Sequence, residues 1–298
     1  MTSQRTILIT GCSDHSLGAA LALAFHRAGG WRVFASARNP AKLQQVTAAG
    51  IATVPLDVAS EESIRASVSA VEKLTGGGPL DALVNNAGAG FPLPILDADL
   101  GEARRLFDLN VFAAIRVTRA YVPLLLRSEA AGGRFAHQPH VDGVPDGRDR
   151  ALPRHLQRVQ GGAGQPDRGP AARAGAVRHA GRQPGDGRRQ VDLLFRQLAP
   201  ATLPPGSLYN VAKDEVEKSM SDEHTAADGT EASAWAEAVV RDLSSHKNPP
   251  HWVWRGRHAT EVRLASHLPV GATDGIMRKV SGLDAVEQKI KEKGWKQE

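Results

Sequence analysis

The chain holds a single cysteine, Cys12. That excludes an intramolecular disulfide and any metal site built on several thiolates, and it fits a reducing compartment. No stretch approaches the apolar length needed to span a bilayer, so no transmembrane segment is expected. Met1 to Gly11 run straight into a strand-like segment, without the apolar run and small-residue cleavage site of a secretory signal. The expectation is a soluble, cytoplasmic protein.

A second lack is local. Residues 134–190 contain no Ser, Thr, Tyr, Lys, Glu, Ile or Asn, yet hold ten Gly and six Pro. They carry eleven Arg against five Asp, whereas the rest of the chain has 26 basic against 27 acidic residues. The pI near 9.5 therefore belongs to one segment. A nucleic-acid partner would have to use that segment, which lacks the interleaved aromatics that stack on bases. None is expected. Neither the period of a strand nor that of a helix persists there, and at face value it has the composition of a disordered basic linker.

What remains is well patterned. A chain of 298 residues, 41% of them hydrophobic, suits one large α/β domain or two small ones with a sizeable core. Thr6–Thr10 predicts a buried strand, Ala19–Ala28 a helix ended by Gly29 and Gly30, and Trp31–Ala37 a second strand. Ala41–Ala49 and Glu61–Leu74 predict helices, and Ile51–Leu56 and Asp81–Asn85 strands. Leu100–Leu126 has apolar residues at helical spacing. Strands alternating with helices imply a parallel sheet with right-handed crossovers. Beyond Leu198, Ser233–Leu243 predicts an amphipathic helix, His251–Trp254 a short strand and Leu283–Lys293 a last helix.

Two motifs carry chemistry. Thr10-Gly11-Cys12-Ser13-Asp14-His15-Ser16-Leu17-Gly18 lies between the first strand and the first helix. There glycines let a backbone approach a pyrophosphate, and a helix N-terminus offers amide N–H groups and a favourable dipole. A plain strand–helix turn is the alternative. Val84-Asn85-Asn86-Ala87-Gly88 follows the fourth strand. Together these resemble the glycine loop and the Asn-Asn-Ala-Gly element of the short-chain dehydrogenase/reductase family, with His15 standing where many relatives have glycine.

The resemblance implies a Rossmann-like α/β fold, a doubly wound parallel sheet in three α/β/α layers, here with a disrupted central segment. It makes residues 1–133 the NADP-binding half, 134–195 an aberrant stretch replacing the catalytic part, and 196–298 the lid and last strand of the same domain. Gly11, Ser13, Leu17, Gly18, Asn86, Ala87 and Gly88 would line the cofactor. Asp57 would meet the adenine, unless it only caps a turn. Arg38, where an acidic residue would favour NAD, suits the 2′-phosphate of NADP(H), unless it is an ordinary exposed arginine. Asn110 would serve a proton relay through a water and a catalytic lysine, the alternative being a solvated helix asparagine. The substrate would be a small-molecule carbonyl or alcohol, lipid-like as for fungal acyl-dihydroxyacetone phosphate reductases, with peripheral contact to lipid membranes in view. No metal ligands are expected.

The family also needs a serine and a Tyr-x-x-x-Lys pair, about 50 to 70 residues beyond the Asn-Asn-Ala-Gly element, where tyrosine protonates the carbonyl oxygen. Here that window is the odd segment, so the chain as written offers an NADP-binding protein without turnover. Tyr209-Asn210-Val211-Ala212-Lys213 imitates the pair but lies too far along. One further reading restores it. Shifted by one base, codons for His155 to Gly161 can spell Thr-Tyr-Asn-Ala-Ser-Lys, and those for His137 to Val141 can spell Ile-Asn-His-Thr-Ser. Downstream, Pro170 to Phe195 can give a helix end, turn, strand and loop in family order. A reading-frame slip near Arg134, restored near Arg196, is preferred to a diverged basic insertion. In the literal chain, residues 134–195 are expected to lack regular packing and to leave an aggregation-prone sheet edge, and the homo-oligomer usual in the family is doubtful.

Overall fold

The computed structural model describes residues 4–130, 196–197, 202–221, 230–244, 253–257, 259–265, 267–269, 271–280 and 283–293. Its centre is a parallel sheet of four strands, β1 (Arg5–Ile9), β2 (Trp31–Ala37), β3 (Ala52–Pro55) and β4 (Ala82–Val84), in the order β3-β2-β1-β4. Ile7 pairs with Val33 on one side and with Ala82 on the other. Successive side chains of a strand face opposite ways, and both faces here are apolar. Ile7, Ile9, Val33 and Ala35 point into one cluster with Leu21, Ala22 and Phe25 of α1 (Leu17–Ala28). Leu8, Phe34, Val54 and Leu83 point into another, with Ile64 and Val71 of α3 (Glu61–Leu74). A sheet covered on both faces needs such near-continuous apolar strands.

The first cluster is completed from far along the chain. Trp235, Ala236, Val239 and Val240 of α7 (Ala232–Ser244) are buried in it, and α7 lies along α1. The second is completed by Val117, Tyr121, Leu124 and Leu125 of α5 (Ala113–Ala130). Three layers, helix on sheet on helix, follow. The chain moves from β1 outward to β3 and then returns for β4 on the other side of β1. That reversal opens a crevice at the carboxyl ends of β1 and β4, the place where open α/β sheets bind ligands.

Several elements differ from the sequence reading. The predicted helix Ala41–Ala49 is a 3-10 turn, Pro40–Lys42, followed by the short α2 (Gln44–Ala48). Asn39 Oδ1 accepts the Ala41 N–H at 3.0 Å and starts that turn early, and Leu43 breaks the helical phase on its way into the core. The long helix divides into α4 (Leu100–Phe107) and α5, joined by a π-turn over Asp108–Phe112. Of the predicted strand His251–Trp254, only Val253 and Trp254 are described. They are not strand, although both pack on the first cluster. A two-residue strand β5 (Ala89–Gly90) pairs in parallel with β6 (Arg196–Gln197). The expectations for residues 134–195 lie outside the described residues.

A third, small cluster joins Leu203 and the helix α6 (Lys213–Met220) to Val286 of α10 (Leu283–Lys293), with Leu93 against it. Between α7 and α10 stand α8 (Ala259–Ala265) and α9 (Asp274–Val280). Against the expectation of no membrane-length stretch, Leu100–Ser128 contains a window of mean hydropathy 1.4, enough by length and composition alone to cross a bilayer. Apolar residues of that helical stretch, Val117, Tyr121, Leu124 and Leu125, are buried against the sheet.

Candidate active site

The crevice is built from β1 outward. Thr10, buried at the end of the strand, accepts the backbone N–H groups of Asn86 and Ala87 on Oγ1 at 2.9 and 3.0 Å. The Asn86 amide then donates to the carbonyls of Thr10 and Gly11 at 2.8 and 3.2 Å. The Asn-Asn-Ala-Gly element thus buttresses the glycine loop from beneath. Asn85, also buried, donates to Thr118 Oγ1 at 3.1 Å and ties the same turn to α5.

Glycine is required at two places in the loop. Gly11 has φ +73°, and a Cβ there would lie 2.8 Å from the Ala87 Cα. A Cβ on Gly18 would meet the Gly11 carbonyl oxygen at 2.4 Å and Asn86 Nδ2 at 2.5 Å. The helix therefore begins as close to the loop as a backbone can come. Ser16 caps it, accepting the Ala19 N–H at 3.1 Å while donating to the Gly11 carbonyl at 3.0 Å. Among the described residues no acceptor meets the N–H groups of Ser13, Leu17 and Gly18. These donors at a helix N-terminus are what an anionic phosphate needs, so the residues present fit a dinucleotide.

Cys12 takes no part in such binding. Its thiol is fully buried and donates to the Ile9 carbonyl at 3.2 Å, and burial pushes its pKa up to about 12.

Arg38 stands exposed just after β2, with no hydrogen bond or ion pair among the described residues. Asp57 does cap a turn: its Oδ1 accepts the Ala59 N–H at 3.0 Å. No described donor meets Oδ2. Asn110 sits within the π-turn, and its amide pairs with both backbone groups of Ala89. Oδ1 accepts the Ala89 N–H at 2.9 Å and Nδ2 donates to the Ala89 carbonyl at 2.8 Å. It is therefore no solvated helix asparagine.

The π-turn has a lock that the sequence reading missed. Arg116 grips Asp108 with two bonds of 2.9 Å, Nη1 to Oδ1 and Nη2 to Oδ2. In a regular helix, residues eight apart differ by about 80° around the axis, but one extra residue in a turn leaves them within about 20°. The ion pair and the π-turn thus favour each other. The hydrogen bond from Arg116 holds the Asp108 carboxyl below the usual carboxylate range. A spacing of eight matches no standard helical pair, which is why it gave no signal.

The distant Tyr-x-x-x-Lys imitation is explained otherwise. Tyr209 packs on the third cluster, and Lys213 Nζ lies 3.8 Å from Glu217 Oε1. The positions expected for the family's serine and Tyr-x-x-x-Lys pair, within residues 134–195, lie outside the described residues. No group of three or more potential metal ligands occurs among the described residues.

Comparison with known proteins decides the family. A family model described as short chain dehydrogenase matches residues 5–135. Short-chain dehydrogenase/reductase GME11361 of Pestalotiopsis microspora is 37% identical over 294 residues, covering 98% of this chain and 99% of that protein. The chain belongs to the short-chain dehydrogenase/reductase family. The NADPH-dependent 1-acyldihydroxyacetone phosphate reductase of Schizosaccharomyces pombe is 39% identical over 129 residues, 43% of each chain. This chain thus spans less than half the length of that second relative. Among solved structures, the NADPH-bound carbonyl reductase from chicken fatty liver overlaps with a TM-score of 0.41 at 24% identity, over 44% of this chain and 52% of that one.

Proposed function

We propose that this protein is an NADP(H)-dependent oxidoreductase that transfers hydride between nicotinamide and the carbonyl or alcohol carbon of a lipid-like small molecule. The observation that carries the reading is the set of N–H donors on Ser13, Leu17 and Gly18 that meet no acceptor among the described residues, in a loop where two positions tolerate only glycine. Arg38 supports NADP over NAD, since a guanidinium can grip the ribose phosphate bidentately. The Schizosaccharomyces relative, named as an NADPH-dependent reductase of an acylated phosphate ester, supports both the cofactor and the substrate class.

The bound nicotinamide would supply the hydride. The chain's residues would do the rest. Gly11, Ser13, Leu17 and Gly18 present backbone to the pyrophosphate, and Asn86, Ala87 and Gly88 floor the pocket. Asp57 offers its second oxygen to the adenine amine. Asn110, held by Ala89, belongs to the proton relay. Residues 1–133 bind the cofactor in this reading, and 196–298 close the substrate side of the same domain. We place the protein in the cytoplasm, at lipid surfaces when its substrate requires it.

The tyrosine that would protonate the carbonyl oxygen belongs, in our reading, to the frame that residues 134–195 leave. Two observations support a slip out of frame and back. The family model's match ends at residue 135, where the composition changes. The Pestalotiopsis relative matches end to end, 98% of one chain against 99% of the other. A slip conserves length, whereas an insertion would add to it. Sequencing the transcript tests this, and an uninterrupted frame encoding 134–195 as written would sink it.

A second reading, NADP(H) binding without turnover, is favoured for the literal chain by one fact: residues 134–190 contain no Ser, Tyr or Lys. Fluorescence titration with NADPH and NADH, beside an NADPH oxidation assay on a panel of ketones, separates the readings. In the second reading the literal chain binds NADPH more tightly than NADH and turns over nothing, and NADPH oxidation by it would favour the first. The frame-restored chain is expected to oxidise NADPH. Failure of both chains to bind NADPH would overturn the proposal.

A further inference from the structure

Among the described residues, His15 is the one non-glycine with a left-handed backbone, φ +64°. Such a conformation is uncommon for any residue with a Cβ, histidine entering it more readily than most, and it is kept where the surroundings fix it. Gln45, thirty positions on and in the helix after β2, holds it there. Gln45 Oε1 accepts the His15 backbone N–H at 2.9 Å, and Gln45 Nε2 meets the His15 ring at Nδ1, 3.1 Å away. A backbone N–H can only donate, so the amide's orientation is settled by its partner. Nε2 must then donate to Nδ1, and the neutral ring carries its proton on Nε2.

Asp14 reinforces the contact. Its carboxylate accepts the N–H groups of Gln44 and Gln45 at 3.1 and 2.8 Å, and its own N–H donates to the Lys42 carbonyl at 2.6 Å. Leu43, the residue preceding α2, supplies no side-chain cap. The glycine loop provides it instead.

These bonds connect the loop expected to hold the pyrophosphate with the segment, beginning at Arg38, expected to hold the ribose phosphate. We propose that Asp14, His15 and Gln45 form a clamp that sets the spacing of these two grips on the dinucleotide, with Gln45 as its positioning residue. The inference rests on the dinucleotide-binding reading above. A ligand that must touch two segments binds tightly only when they are already spaced for it, because otherwise ordering them consumes binding free energy. A glycine at position 15 would take the left-handed conformation unaided. Histidine there makes the loop depend on Gln45.

The test is a double-mutant cycle on the full chain, read by fluorescence titration with NADPH. Gln45 is exposed, so truncating it leaves the core intact. Gln45→Ala is expected to weaken NADPH binding about tenfold. In a His15→Gly background the same substitution should cost no more than about twofold, because glycine takes the left-handed conformation without Gln45. Asp14→Asn, which keeps one acceptor oxygen, should fall between. Unchanged affinity in Gln45→Ala would overturn the clamp, and so would an equal loss in the His15→Gly background. A parent chain that binds no NADPH would overturn the functional reading itself and the clamp with it, an outcome visible before any variant is made.

Discussion

Single residues define this crevice more sharply than composition suggests. At Gly18, even a methyl group would collide with the Gly11 carbonyl and the Asn86 amide. Gly18→Ala is expected to cost about 1–3 kcal/mol in urea unfolding, with weaker NADPH binding. Cys12 lies in the same loop, yet its thiol should resist Ellman's reagent until the chain unfolds, because burial raises its pKa from 9.0 to about 12. Burial likewise lifts Tyr121 from 10.0 to about 12, against a smaller opposing effect of its hydrogen bond to Ser67. Both groups keep their protons longer folded than unfolded. Their contribution to stability is complete below about pH 9, then falls as pH rises towards 12. Unfolding midpoints across that range should drop, and Tyr121→Phe should lose the tyrosine's share of the drop.

Among the elements, the π-turn was the least legible. Apolar spacing predicted one long helix over Leu100–Leu126, and helical spacing cannot reveal a single extra residue. Only the Asp108–Arg116 pair and the Asn110–Ala89 bonds show why the turn forms. Arg116→Ala is expected to destabilise the fold by about 1 kcal/mol or less, both partners being partly exposed. It should also speed hydrogen exchange at the Ala89 amide, which Asn110 protects. Other elements could be read directly. Trp31–Ala37 and Glu61–Leu74 match their predicted limits, since a mostly apolar run between paired glycines and an arginine, and a serine-capped amphipathic stretch, leave little choice. The motifs gave Gly11, Gly18 and Asn86 for the same reason: steric demands there restrict the residue type. Gln45 and Asp14 could not be found this way. An exposed polar side chain that bonds across thirty positions carries no local pattern.

At the scale of the molecule, the two halves of the chain share one core. Trp235, with 2% of its surface exposed, lies among residues of β1, β2 and α1. A fragment ending at residue 133 would expose that side of the first cluster. It is expected to aggregate or to melt well below the full chain, as light scattering and thermal unfolding would show. The two partners lie some two hundred positions apart in sequence. The entropy lost on closing a loop grows only with the logarithm of its length, so doubling it adds about 0.6 kcal/mol. The docking of α7 on α1 therefore depends only weakly on the length of chain between them. A change of frame confined to the middle would remove the chemistry while leaving the first and last thirds of the protein able to find each other.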